Sequence, residues 1–142
     1  MPVLDLQQLN DFLAEHFPQG EQYGALESVG PGTAVMRLAV SAQHLRPGGS
    51  VSGPAMMGLA DVAVYAALLT RIGPVPLAVT SNLNINFLRK PLAGADLIAD
   101  ARMLKVGRML GVGEVYLYSG ADAARAGTDP VAHATLTYAI PQ

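Results

Sequence analysis

The segment at residues 54–70 constrains the fold more than any other, because it holds a single side chain that is charged at neutral pH, Asp61. A segment that is apolar on all sides predicts a helix inside the protein core. A lone buried carboxylate is costly unless it is paired, hydrogen-bonded or protonated. Asp61 is therefore expected to have a specific role. It is either a catalytic group or a structural residue that caps a helix or forms an ion pair, and the apolar pattern is consistent with both.

The composition predicts one domain, at residues 1–142, whose surface is partly covered by other subunits. The length of 142 residues is close to the commonest domain size. Hydrophobic residues make up 51% of the chain and charged residues 14%, which is apolar for a small soluble monomer. The net charge of −2 and the lack of a Lys/Arg run argue against nucleic-acid binding.

The chain contains no cysteine, which excludes disulfides, thiolate metal sites and a cysteine nucleophile. His16, His44 and His133 lack the spacing of metal ligands, so we expect no metal. The N-terminus lacks the basic start and apolar core of a secretory signal, and residues 54–70 fall short of the ~20 residues that span a bilayer. We expect a soluble, cytoplasmic protein without a membrane partner.

The pattern along the chain predicts an α+β domain. One helix is expected from Asp5 to about Phe17, within an N-terminal unit at residues 1–20, and the apolar central helix at residues 53–72. Apolar and β-branched runs bounded by Gly and Pro predict strands at 23–29, 33–40, 77–88, 97–105, 109–119 and 131–140, with a polar turn at 121–129. Long consecutive strands favour an antiparallel β-sheet wrapped around the apolar helix.

Three segments carry a resemblance to a known family: Ser52-Gly53-Pro54 followed by Leu59-Ala60-Asp61, residues 79–91 (VTSNLNINFLRKP), and residues 107–112 (GRMLGV). Together they resemble the hotdog-fold acyl-CoA thioesterases, most closely the phenylacetate-pathway (PaaI-like) branch. The resemblance implies a hotdog fold and an acyl-CoA substrate, with coenzyme A as part of the substrate and no separate cofactor. It also implies a homodimer, because hotdog sites form between paired subunits, and we expect a dimer of dimers.

The resemblance implies a catalytic role for three residues. Asp61 would act on the thioester carbonyl as a nucleophile or as the general base that activates water, both of which suit a carboxylate in an apolar setting. The Gly53 N–H would hold the oxyanion at the positive end of the central helix, although a helix entry that needs glycine explains Gly53 equally well. Thr80 would place its hydroxyl near the attacking water, where β-propensity alone is the alternative.

Six further residues are candidates for binding the substrate or coenzyme A. Arg89, Lys90 and Arg108 would meet its phosphates, with ordinary strand-end charge as the alternative and Arg108 favoured. Asn82 is expected to share a strand face with Thr80. Ser52 and Arg46 stand where the family has histidine and asparagine, and Pro54 where it has a second glycine. Arg46 would pair with Asp61 or grip a substrate carboxylate.

Six apolar side chains of the central helix are expected to line an acyl pocket or else to pack in the core: Met56, Met57, Leu59, Val62, Val64 and Tyr65. The favoured function is hydrolysis of a small or medium acyl- or aryl-CoA. The replaced histidine and asparagine support an alternative, a non-catalytic domain that binds or senses acyl-CoA. A dehydratase-type hotdog enzyme is disfavoured, because the central helix has no histidine.

Overall fold

The computed structural model describes residues 2–92 and 94–142. The helices are α1 (Leu6–His16), α2 (Gly53–Ile72) and α3 (Ala121–Ala126), with 3₁₀ turns at Pro18–Tyr23 and Ala42–His44. The strands are β1 (Ala25–Gly30), β2 (Thr33–Leu38), β3 (Val79–Phe87), β4 (Leu97–Val106), β5 (Leu110–Ser119) and β6 (Ala132–Ala139).

The six strands form one antiparallel sheet in the order β1-β2-β4-β5-β6-β3, and the sheet wraps around α2. Fully buried side chains of α2, such as Leu59, Leu68 and Leu69, pack into the inner face of the sheet. The sequence-based prediction of an α+β fold, with an antiparallel sheet around a long apolar helix, is confirmed.

Local signals set the two ends of α2. The Ser52 hydroxyl caps the first turn by accepting a hydrogen bond from the Ala55 N–H at 3.3 Å. Pro54 lies in the first turn, where a backbone N–H has no acceptor within the helix, so the missing N–H of proline costs no hydrogen bond. Gly73 ends the helix with φ +84°, a conformation that favours glycine. Among the described residues α2 is the one helix long and apolar enough to cross a bilayer, but 67% of its most apolar 18-residue window is buried inside this fold.

Two glycines on β5 let α2 approach the sheet closely. A Cβ atom at Gly111 would lie 2.8 Å from Leu68 Cδ1, and one at Gly113 would lie 2.9 Å from Val64 Cγ1. Both distances are too short for carbon atoms that are not bonded to each other. The packing of the central helix on β5 therefore depends on these two positions having no side chain.

A β-bulge near the start of β3 changes which side chains face the helix. Thr80 pairs with Tyr138 and Asn82 pairs with Thr137, so Ser81 is an extra residue on β3. Thr80 lies opposite the buried Tyr138, whereas Asn82 lies opposite Thr137 on the outer face. The prediction that Asn82 shares a face with Thr80 is wrong, because simple alternation does not continue through a bulge.

Two other local predictions are wrong. Residues 121–129 are not only a turn, because Ala121–Ala126 form α3 before Gly127 ends it with φ +66°. The first strand begins at Ala25 rather than at residue 23, because the Pro18–Tyr23 turn continues to Gly24, whose φ of +146° starts the strand.

The close approach of α2 to β5 gives a stability test. We expect Gly113→Ala to lower the free energy of unfolding by about 1–3 kcal/mol, because the added methyl overlaps Val64 Cγ1 and also lies 3.1 Å from the Arg102 carbonyl oxygen. Urea denaturation measures the change. In the Gly113→Ala/Val64→Ala double variant the loss should be smaller than the sum of the single losses, since one clash is removed. Additive losses would contradict this account.

Candidate active site

Asp61 lies on the one face of α2 that the sheet does not cover. Its side chain is half-buried and borders a pocket of about 620 Å³, together with Met57, Gly58, Val62 and Tyr65 at helical spacing on the same face. The expectation of a carboxylate buried in the core is therefore wrong. The carboxylate has an apolar helix behind it and an open cavity in front of it.

Two hydroxyl groups hold the Asp61 carboxylate in place. The Thr80 hydroxyl donates to Oδ1 at 2.7 Å, and the Tyr138 hydroxyl is hydrogen-bonded to the same Oδ1 and lies 2.7 Å from the Asp61 carbonyl oxygen. Oδ2 accepts no hydrogen bond from residues 2–92 and 94–142.

Tyr138 was missed by the sequence analysis. It is buried near the end of β6 and stacks on Tyr65 with ring centroids 5.9 Å apart. It is paired with Thr80 on the neighbouring strand β3. Burial raises the pKa of Tyr138 well above its usual value, and the neighbouring Asp61 carboxylate raises it further, so the phenol stays a neutral donor. The signal was present in the strand alternation, because Tyr138 is the single hydroxyl-bearing residue among the inward-facing positions of β6.

The N-terminus of α2 lies beside the same pocket. Pro54 lines it, and the preceding Gly53 N–H has no hydrogen-bond acceptor in the part of the chain that the structure describes. An unsatisfied N–H at the positive end of a helix suits a developing negative charge. The Ser52 hydroxyl, by contrast, is engaged in capping the helix.

Apolar side chains form most of the pocket wall: Phe17, Tyr23, Met57, Val62, Tyr65 and Leu83. Met57, Val62 and Tyr65 were predicted for this role, whereas Met56, Leu59 and Val64 are buried core residues that do not line the pocket. Phe17 and Tyr23 were missed. Tyr23 reaches α2 because residue 58 is glycine, where a Cβ atom would lie 2.9 Å from Tyr23 Cε1.

The structure does not bring the other predicted binding residues into this pocket. Arg46, Lys90 and Arg108 are exposed and form no salt bridge with any described residue, so Arg46 does not pair with Asp61 within one chain. Arg89 lies 3.5 Å from an Asp129 carboxylate oxygen and donates to the Pro130 carbonyl at 3.3 Å. Their contacts with substrate stay predictions.

Asn82 is exposed, Ser52 is half-buried, and neither residue lines the pocket. A substrate contact at either residue also stays a prediction. Within the described residues there is no group of three or more His, Asp or Glu side chains arranged to hold a metal ion. The described site thus combines one carboxylate and two hydroxyl donors with a mostly apolar cavity, which His16 also lines.

Comparison with known proteins assigns a family to this geometry. The sequence pattern of the thioesterase superfamily matches residues 48–126, a segment that contains α2, Asp61 and Thr80. The crystal structure of a candidate thioesterase from Silicibacter sp. TM1040 is 45% identical, with a TM-score of 0.88, over 100% of this chain and 95% of that one. No curated protein matches the chain.

Two more distant solved structures have similar folds. A mutant of the phenylacetic acid degradation protein PaaI from Thermus thermophilus is 29% identical, with a TM-score of 0.73, over 87% of this chain and 99% of that one. A Streptococcus mutans protein bound to acetyl-CoA is 22% identical, with a TM-score of 0.69, over 83% of this chain and 88% of that one.

The raised pKa of Tyr138 predicts a dependence of stability on alkaline pH. A group whose pKa is higher in the folded state than in the unfolded state makes its full contribution to folding stability below the unfolded-state pKa, which is about 10 for tyrosine. That contribution is lost as the pH rises above this value. In this range Tyr138 lowers the free energy of unfolding by about 1.4 kcal/mol for each pH unit. Urea denaturation from pH 9 upward should therefore show a shallower decline for Tyr138→Phe than for the wild type; parallel declines would contradict the assignment.

Proposed function

The chain belongs to the thioesterase superfamily and adopts its hotdog fold, and on that premise we propose that it hydrolyses the thioester of a small or medium acyl- or aryl-CoA. One observation carries the proposal: the Asp61 carboxylate, held by two hydroxyl donors, faces an apolar pocket of about 620 Å³. A reactive carboxylate beside a cavity for an apolar acyl group is what this reaction requires.

The reaction would use the free Oδ2 of Asp61 in one of two ways. As a general base, Oδ2 takes a proton from water while the water oxygen attacks the carbonyl carbon. As a nucleophile, it attacks that carbon itself and water then cleaves the mixed anhydride. In both routes the C–S bond breaks, coenzyme A leaves as the thiol, and the acyl group leaves as a carboxylic acid.

Thr80 and Tyr138 would position the carboxylate during this reaction. Both hydroxyls are bound to Oδ1, which limits rotation of the carboxylate and would leave Oδ2 available to the substrate. The Gly53 N–H would donate to the carbonyl oxygen as negative charge develops there. Since Pro54 has no N–H, Gly53 is the sole donor from the first two residues of α2.

We expect a homodimer formed through β3. This strand is at the edge of the sheet, and the apolar side chains in and beside it are exposed, with Leu77 75% and Val79 60% accessible. An open, apolar strand edge is a surface on which a second copy can pair. Val79 also lines the pocket, so such a dimer would complete the wall of the site. Pairing of two dimers is the further expectation.

Coenzyme A would be held outside the apolar pocket. Arg46, Arg89, Lys90 and Arg108 are exposed cations that suit its phosphates, and Arg108 stays the favoured one. Polar contacts from Ser52 and Asn82 are part of the same proposal. The S. mutans protein of similar fold was crystallised with acetyl-CoA, which supports a fold able to accommodate such a ligand. A cytoplasmic location and the lack of a cofactor stay predictions.

A domain that binds acyl-CoA without hydrolysing it is the second candidate. The observation that favours it is the start of α2, where the Ser52 hydroxyl is committed to capping and Pro54 offers no N–H. This leaves fewer polar groups around the carbonyl than the family pattern implies. Thermal stabilisation by acyl-CoA without release of free thiol would favour this function over hydrolysis.

We expect Asp61→Asn to lower kcat by about 10²–10⁴-fold, because an amide can neither take the proton nor attack the carbonyl. Thiol release from a panel of acyl- and aryl-CoAs measures the change. Asp100→Asn, at an exposed position on β4, is the matched control and should retain wild-type turnover. Absence of wild-type turnover on the whole panel, or full turnover by Asp61→Asn, would refute the hydrolase.

We expect the wild type to have the mass of a dimer or tetramer in light scattering and Val79→Lys to dissociate to smaller species. The substitution places a charge on the exposed edge strand, where it cannot be accommodated against a second copy. Leu104→Lys, at an exposed position on β4, should keep the wild-type mass. A wild-type monomer, or an unchanged mass for Val79→Lys, contradicts pairing through β3.

A further inference from the structure

A second cavity lies directly behind the active-site pocket. It has a volume of about 450 Å³ and is bounded by α1, the Pro18–Tyr23 turn, β1 and β2. Two residues, Phe17 and Val62, line both this cavity and the active-site pocket. The two spaces are therefore neighbours that share a partition, and the proposed mechanism uses only the first of them.

The Phe17 ring is the aromatic part of this partition. On one side it meets Tyr65, which lines the active-site pocket, in an edge-to-face contact with ring centroids 6.4 Å apart. On the other side it covers Gly20, which lines the second cavity; a Cβ atom there would lie 2.7 Å from Phe17 Cδ2 and Cε2. Gly20 thus lets the ring occupy the space between the two cavities.

The second cavity has one apolar side on which an acyl chain could lie. Its floor is formed by the apolar side chains of Leu13, Leu26 and Met36, whereas the polar Asn10 and Glu21 lie at exposed positions of its lining. Val62 directly follows Asp61 on α2. An acyl chain whose carbonyl is beside Asp61 would therefore meet the partition as it lengthens.

We propose that Phe17 determines acyl-chain length in this protein, by closing the second cavity to the acyl group. This inference rests on the proposed hydrolysis of acyl-CoA and adds the substrate class to it. The natural acyl group is one that the active-site pocket holds in front of the ring. Straight saturated chains that extend past the ring are rejected, although a cavity with a partly apolar lining lies beyond it.

The test compares Phe17→Ala with the wild type on saturated straight-chain acyl-CoAs of 2 to 16 carbons. Each methylene that gains a buried position is worth about a fourfold gain in binding, from ~0.8 kcal/mol per methylene. Opening the second cavity should therefore shift the optimum to longer chains and raise the ratio of kcat/KM for long over short chains by at least about tenfold. Phe17→Leu, which keeps an apolar side chain, should shift the ratio by less.

Leu13→Ala is the matched control, because Leu13 lies on the same helix and lines the second cavity but not the active-site pocket. This substitution enlarges the second cavity, but the Phe17 ring still separates that cavity from the active-site pocket. The ratio of kcat/KM for long over short chains should therefore equal that of the wild type. A comparable shift in Leu13→Ala would show that loosening of α1, and not removal of the ring, changes selectivity. That result would overturn the proposal.

Two readouts separate this proposal from the proposed function. An unchanged chain-length ratio in Phe17→Ala, with wild-type turnover intact, overturns the role of Phe17 and leaves hydrolysis standing. If the wild type releases no thiol, hydrolysis fails, and the ring is tested by thermal stabilisation with the same acyl-CoAs. Stabilisation that extends to longer chains in Phe17→Ala than in the wild type and Leu13→Ala supports the partition; identical profiles overturn it.

Discussion

The hydrogen bonds from Thr80 and Tyr138 to Asp61 are the interaction on which the site depends. They join three elements that are far apart in sequence, α2, β3 and β6, at the edge of the sheet where α2 is uncovered. They also resolve the problem posed by a carboxylate in an apolar helix, because two neutral donors replace part of the water that Asp61 loses. The same bonds leave Oδ2 without a hydrogen-bond donor among the described residues, on a side chain that lines a cavity.

The bulge in β3 makes this arrangement possible. Without the extra residue Ser81, side chains on β3 would alternate regularly, and Thr80 and Leu83 could not both face the pocket. With the bulge, the Thr80 hydroxyl donates to Asp61 and the Leu83 side chain lines the apolar part of the pocket. A local irregularity in the edge strand therefore links the pairing of the sheet to the chemistry of the site.

The elements of the fold could be predicted because their signals are local, whereas the site could be predicted only in part. The lone carboxylate marked α2 and Asp61, and the motif after it marked Thr80. Asn82 was misplaced, since period-two alternation carries no information about a bulge. Tyr138 was missed because its contact with Asp61 joins positions 77 residues apart. The alternation of β6 marks Tyr138 as an inward-facing hydroxyl, but it does not show that this hydroxyl reaches α2.

The proposed chemistry and the proposed chain-length selectivity reside on different parts of this molecule. The carboxylate and its two donors belong to α2 and the sheet, which form the core, whereas Phe17 belongs to the N-terminal segment that packs over the uncovered face of α2. The segment is held there by close contacts at glycines, with Tyr23 against Gly58 and the Phe17 ring against Gly20. A change at Phe17 can therefore reshape the far end of the pocket without moving Asp61. If the proposed function holds, acyl-chain preference can vary in this way while the reaction at the carbonyl stays the same.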